Sequence, residues 1–112
     1  TDTVQSAITY TLTANVESLV LRRAKLAAAA GLDGVVASVR EASAVRREFG
    51  PDFVIVTPGI RPTGAASGDQ KRVASPGAAM ESGSSYLVVG RPIYDAPSPR
   101  DAAEAILAEL HG

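Results

Sequence analysis

The chain has 112 residues, enough for one small domain and too few for two. Apolar residues make up 46% and charged residues 21%, and a net charge of −1 argues against a broad electrostatic grip on nucleic acid or anionic lipid. There is no cysteine, and the single histidine, His111, is the penultimate residue. Disulfide scaffolds, thiolate nucleophiles, Ser–His chemistry and zinc-thiolate or histidine metal sites are thereby excluded, and no metal is expected.

The longest apolar stretch, residues 26–30, is far short of the roughly 20 residues a membrane span needs. No basic-then-apolar signal opens the chain, so the cytoplasm is the expected compartment. Residues 13–30 read as a helix: Val16, Leu19, Val20, Ala24, Ala27 and Ala28 recur at helical spacing, Thr13 can cap the start and Gly31 can end it. Residues 32–37 are a short β-branched run of strand length. Ser38 and Glu41 have the spacing of a capping box and open a helix through Glu48, closed by Gly50-Pro51. Residues 53–56 form the second strand, which runs into Thr57-Pro58-Gly59-Ile60-Arg61-Pro62 and a Gly/Ala/Ser-rich loop to about Val73. Ser75-Pro76 caps a helix ending near Ser82-Gly83. Residues 86–89 are the third strand, Gly90-Arg91-Pro92-Ile93 follows it, and Ser98-Pro99 starts a final helix to about Leu110.

All three strands are nearly continuous apolar runs, the pattern of parallel strands covered on both faces. They begin about 20 and then 33 residues apart with a helix between each pair, which predicts an α/β fold, α-(βα)3 with three parallel strands. Three parallel strands alone would leave two open edges. A (β/α)8 barrel uses ~31 residues per unit, so this length equals between three and four units. The expectation is that residues 1–112 are a single partial domain, a slice of a TIM barrel.

Chemistry is expected after the strands, where barrels and open α/β sheets place their sites. Gly90 lets backbone approach an anion, and Arg91 supplies a planar two-pronged donor suited to phosphate. Gly59-Ile60-Arg61 offers a similar pair after the second strand, and the loop beyond it, containing Gly64 and Gly68, ends in Asp69-Gln70. That loop could fold over a ligand, with Gln70 as amide donor and acceptor. Each feature has a plainer reading: a turn with a solvated arginine, loop punctuation, a surface glutamine. Lys71 and Arg72 read as solvated charge, Arg22, Arg23, Arg46 and Arg47 as the water-facing sides of helices, Asp33 as a local hydrogen-bond partner in preference to a barrel-mouth acid, and Tyr10 and Tyr94 as packing residues. Lys25 and Lys71 are the only lysines, so no Lys/Asp cluster is present for proton or carbanion chemistry.

Gly31-Leu32-Asp33-Gly34-Val35-Val36, Thr57-Pro58-Gly59-Ile60-Arg61-Pro62, Gly68-Asp69-Gln70 and Val88-Val89-Gly90-Arg91-Pro92-Ile93, in this order and spacing, resemble the C-terminal half of orotidine 5′-monophosphate decarboxylases. The resemblance runs from about Leu12 onward. It implies strands 6–8 of a (β/α)8 barrel, usually homodimeric, that converts orotidine 5′-monophosphate (OMP) to UMP and CO2 without cofactor or metal. By that pattern Arg61 and Arg91 bind the 5′-phosphate, Gly90 and Arg91 offer it backbone N–H groups, and Gln70 belongs to the loop that closes over the substrate. Pro58 and Ile60 would line the base-side wall. The family's catalytic Lys/Asp array belongs to the N-terminal half, so no catalytic residue is assigned in this chain and the isolated chain is expected to be inactive. The partner it needs is that half of the enzyme, or a second subunit. The alternatives are a non-catalytic half-barrel that binds a phosphorylated nucleotide, and a fragment of a related phosphosugar lyase.

Overall fold

The structure, a computed structural model, describes residues 18–62 and 74–111. Helix α1 is described over residues 18–29. It ends in a Schellman arrangement in which Gly31 N–H donates to Ala28 O and Leu32 N–H to Ala27 O, both at 3.0 Å. The expected Thr13 cap lies outside the described residues. Strand β1 (Gly34–Val36), helix α2 (Val39–Phe49), strand β2 (Val54–Thr57), helix α3 (Pro76–Glu81), strand β3 (Tyr86–Leu87), helix α4 (Arg91–Tyr94) and helix α5 (Pro99–His111) follow in order. Among the described residues no helix is long and apolar enough to cross a membrane.

The three strands form one parallel sheet in the order β1-β2-β3, as the α-(βα)3 pattern predicts. Gly34 pairs with Val54, and a Cβ at Gly34 would stand 1.9 Å from the Val54 carbonyl oxygen, so only glycine allows β1 this close at its start. The β2–β3 ladder is extended at both ends by Ser85 N–H to Ile55 O (2.8 Å) and Val88 N–H to Thr57 O (2.9 Å). β3 itself is two residues long, shorter than the apolar run at residues 86–89, because Gly90 turns the chain into α4. That one-turn helix was not expected from the sequence.

One face of the sheet is covered. Ala37, Ala42, Val45 and Ile55 form the buried core, with Val20, Leu21, Val35, Phe49 and Phe53 packed against it. Complete burial of a side chain such as Ile55 or Val45 contributes roughly 1.5–3 kcal/mol. The Phe49 and Phe53 rings stack at 4.5 Å and close the turn between α2 and β2. The opposite face is uncovered among the described residues. Val36, Val56 and Tyr86 form one row across the sheet by register, and Val36 and Tyr86 remain 71% and 64% exposed.

Two local expectations are corrected. Ser38 precedes α2, but its side chain makes no cap hydrogen bond, and its Oγ is buried without a partner among the described residues. The serine half of the expected Ser38/Glu41 capping box is therefore not formed, and Glu41 is buried in the first turn. Arg46 does not face water. Its guanidinium donates to the carbonyls of Gly83, Gly50 and Phe53 and to Ser85 Oγ, joining α2 to the segment that leads into β3. The two other caps read from the sequence do form: Ser75 Oγ accepts from Ala78 N–H at 3.2 Å and Ser98 Oγ from Asp101 N–H at 3.4 Å.

Candidate functional site

Because β2 and β3 are adjacent and parallel, the segments leaving their C-terminal ends emerge side by side at one edge of the sheet. Thr57, fully buried at the end of β2, is held by a hydroxyl–hydroxyl hydrogen bond to Ser84. The chain then turns at Gly59, whose φ of 75° falls in the left-handed region that favours glycine. Next, Ile60 and Ala74 form an isolated parallel bridge: Arg61 N–H donates to Ala74 O at 2.9 Å and Ala74 N–H to Gly59 O at 3.2 Å. The bridge fixes the side-chain alternation. Ile60 points inward and is buried, whereas Arg61 is half-buried, its Nε shielded from water without a hydrogen-bond partner among the described residues. A buried donor without a partner is costly unless something else satisfies it.

On the neighbouring strand, Val88 and Val89 lead to Gly90, and α4 starts at Arg91 with Pro92 in its first turn, where a missing N–H costs nothing. Ile93 N–H and Tyr94 N–H both donate to Gly90 O, at 2.9 and 3.2 Å. The single turn so formed holds Arg91 and Tyr94 at i and i+3, on the same side.

These two segments enclose a pocket of about 210 Å3. Arg61 and Arg91 line it together with Pro58, Gly59, Ile60, Val88, Gly90, Pro92 and Tyr94. Five of the six residues expected at the site (Pro58, Ile60, Arg61, Gly90 and Arg91) therefore meet around one cavity. The sixth, Gln70, lies outside the described residues, as do Gly64, Gly68, Asp69, Lys71 and Arg72. Tyr94 was missed. Read as a packing residue, it is 65% exposed at the pocket wall. The signal that could have found it is Gly90 followed by Pro92, which starts a helical turn and carries residue 94 round to the side of residue 91.

Chemically, the pocket is lined by two arginines from separate elements, a glycine with no side chain to block approach, and apolar residues. That set suits a compact anion with two or more oxygens, which planar arginine forks grip bidentately. No cluster of three or more His, Cys, Asp or Glu side chains that could hold a metal ion occurs among the described residues.

Comparison with known proteins agrees with the fold. The family model for orotidine 5′-phosphate decarboxylases and the HUMPS family matches residues 2–106. Orotidine 5′-phosphate decarboxylase of Geobacter sulfurreducens is 59% identical over 95 residues, covering 85% of this chain and 40% of the relative. The enzyme of Moorella thermoacetica is 60% identical over 95 residues, with 85% and 38% covered. Among solved structures, orotidine 5′-phosphate decarboxylase from Lactobacillus acidophilus superposes with a TM-score of 0.74 at 42% identity, covering 87% of this chain and 38% of that one. The Pyrococcus horikoshii enzyme gives 0.67 at 31% identity, with 85% and 43% covered. The chain thus spans about two fifths of the length of the curated relatives it matches.

Proposed function

The chain belongs to the orotidine 5′-phosphate decarboxylase / HUMPS family, and on that premise we propose that it carries the phosphate-gripping part of an orotidine 5′-monophosphate decarboxylase. The reaction is a carboxy-lyase step, OMP to UMP and CO2. In this reading residues 1–112 are one partial domain, contributing strands 6–8 of a (β/α)8 barrel. The observation that carries it is the convergence of Arg61, Gly90 and Arg91, from two successive strand ends, on one pocket. At about 210 Å3 the pocket is smaller than the ~300–1,000 Å3 typical of whole small-molecule sites, so it suits the phosphate group while the rest of the nucleotide extends beyond it.

Arg61 and Arg91 bind the 5′-phosphate, and the backbone at Gly90 and Arg91 approaches it closely. Pro58 and Ile60 line the wall on the base side, and Gln70 belongs to the loop that closes over the bound nucleotide. The phosphate is remote from the carbon that loses CO2. Gripping it therefore supplies binding energy that can be spent on loop closure and on organising the reacting end. Closure also expels water from the developing carbanion and strengthens the electrostatics around it. The Lys and Asp groups that act on the carboxylate belong, in this proposal, to the remaining part of the barrel, which is this chain's partner. The family resemblance extends the reading to a cytoplasmic homodimer.

Calorimetric titration of the 112-residue chain with UMP tests the proposal. The unaltered chain should bind; Arg61→Ala and Arg91→Ala should each weaken binding about tenfold, the scale of a lost charge-assisted bidentate contact. Added salt should weaken it further. The chain alone should release no CO2 from OMP. UMP binding indifferent to both arginines would sink the phosphate assignment, and turnover by the chain alone would sink the division of labour.

A further inference from the structure

The pocket is graded from floor to rim. Arg61, Gly90 and Arg91 are half-buried, whereas Pro58, Val88 and Tyr94 are exposed, Val88 at 51% and Tyr94 at 65%. Buried Ile60 and the two half-buried arginines thus lie behind an exposed, largely apolar rim. An anion seated on the arginines would therefore carry whatever is esterified to it outward, past the exposed rim. Tyr94 is the largest rim residue. Its Cε1 lies 3.4 Å from the position a Cβ would take on Gly90, so the edge of the ring stands in the space that the missing side chain leaves open. The turn of α4 that places Arg91 also places this ring.

We propose that Tyr94 is a specificity-determining residue whose ring packs against the carbon arm attached to the phosphate, so that the site distinguishes a sugar phosphate monoester from inorganic phosphate. The inference rests on the anion reading of the pocket and adds the residue that reads the ester side. Bound phosphate alone leaves the Tyr94 ring in water. A pentose carbon chain covers it and removes apolar surface from solvent, which a residue with an apolar body and a polar tip gains from without burying its hydroxyl.

The test is calorimetric titration of the full chain with inorganic phosphate and, separately, with ribose 5-phosphate. The unaltered chain, Tyr94→Phe and Tyr94→Ala are compared, with circular dichroism as the check on folding. Tyr94→Ala should weaken ribose 5-phosphate about fivefold, the scale of one aromatic contact, and inorganic phosphate less than about twofold. Tyr94→Phe should retain the affinity of the unaltered chain for both ligands. Equal losses for the two ligands, or no loss for ribose 5-phosphate, would overturn the role of Tyr94 while leaving the anion site standing. If the unaltered chain bound neither ligand, the anion site and the role of Tyr94 would fall together.

Discussion

Arg46 reaches from the last turn of α2 to the segment that opens β3, and its guanidinium satisfies carbonyls at three separate points of the chain. Both its Nε and one terminal nitrogen donate to Gly83 O, at 2.9 and 2.6 Å, and that second nitrogen also meets Ser85 Oγ at 3.0 Å. Ser85 Oγ in turn accepts from Ile55 N–H at 3.0 Å, so the arginine, the hydroxyl and the central strand form one connected network. Five donors in a rigid plane are what let a single side chain serve so many acceptors, and a lysine in its place would have one mobile ammonium to offer. Arg46→Ala should therefore cost about 2–3 kcal/mol in urea unfolding, since it strands several half-buried acceptors at once. The neighbouring Arg47 is exposed, and Arg47→Ala should stay within about 0.5 kcal/mol of the unaltered chain. Similar costs for the two alanines would mean that the Arg46 hydrogen bonds exchange evenly with water and hold nothing.

Among the elements, two helices begin at a serine that sequence alone cannot tell apart. Ser75 precedes Pro76 and its hydroxyl accepts from Ala78 N–H. Ser38 sits at the corresponding position before α2, and its hydroxyl is buried and unpartnered among the described residues. Ser75→Ala should cost about 1 kcal/mol, the usual worth of an N-cap, and Ser38→Ala should be close to neutral in the same denaturation series. Equal losses at the two positions would show that Ser38 caps after all. The contrast marks what was legible in the sequence. Element order, parallel pairing and the helix ends at Gly31, Ser75 and Ser98 followed from local patterns, because hydrophobic period, β-branching and cap residues act within a few positions. The meeting of Arg61 with Gly90 and Arg91 was legible as well, since parallel neighbours must present their C-terminal ends together. Arg46 and Ser38 were not, because their partners, or lack of them, depend on residues up to 39 positions away. Tyr94 was hidden by an unexpected turn of helix: without α4, nothing in the spacing of residues 90–94 points its ring at Arg91.

For the whole molecule, the decisive feature is the sheet face opposite the core. Parallel sheets are found with both faces covered, and among the described residues α2 and the core residues cover one of them. Val36, Tyr86 and Val88 leave apolar surface in water on the other, and β1 and β3 are both edge strands of the described sheet. The solved relatives place further chain beyond the part this sequence matches, covering 38% of the Lactobacillus acidophilus enzyme. Among the described residues that face and both edges are uncovered, and such a surface associates with whatever complements it. Sedimentation velocity over a range of concentrations should accordingly find the isolated chain self-associating. A lysine at Val36 or Val88 disfavours burial of that face without touching the core, so Val36→Lys and Val88→Lys should shift the distribution towards monomer. Ala44, buried on the covered side, is the wrong place for the same change: Ala44→Lys should unfold the chain rather than disperse it. A monodisperse monomer that unfolds cooperatively would mean that the open face is tolerated in water, and that three strands with one covered face are enough for an independent fold.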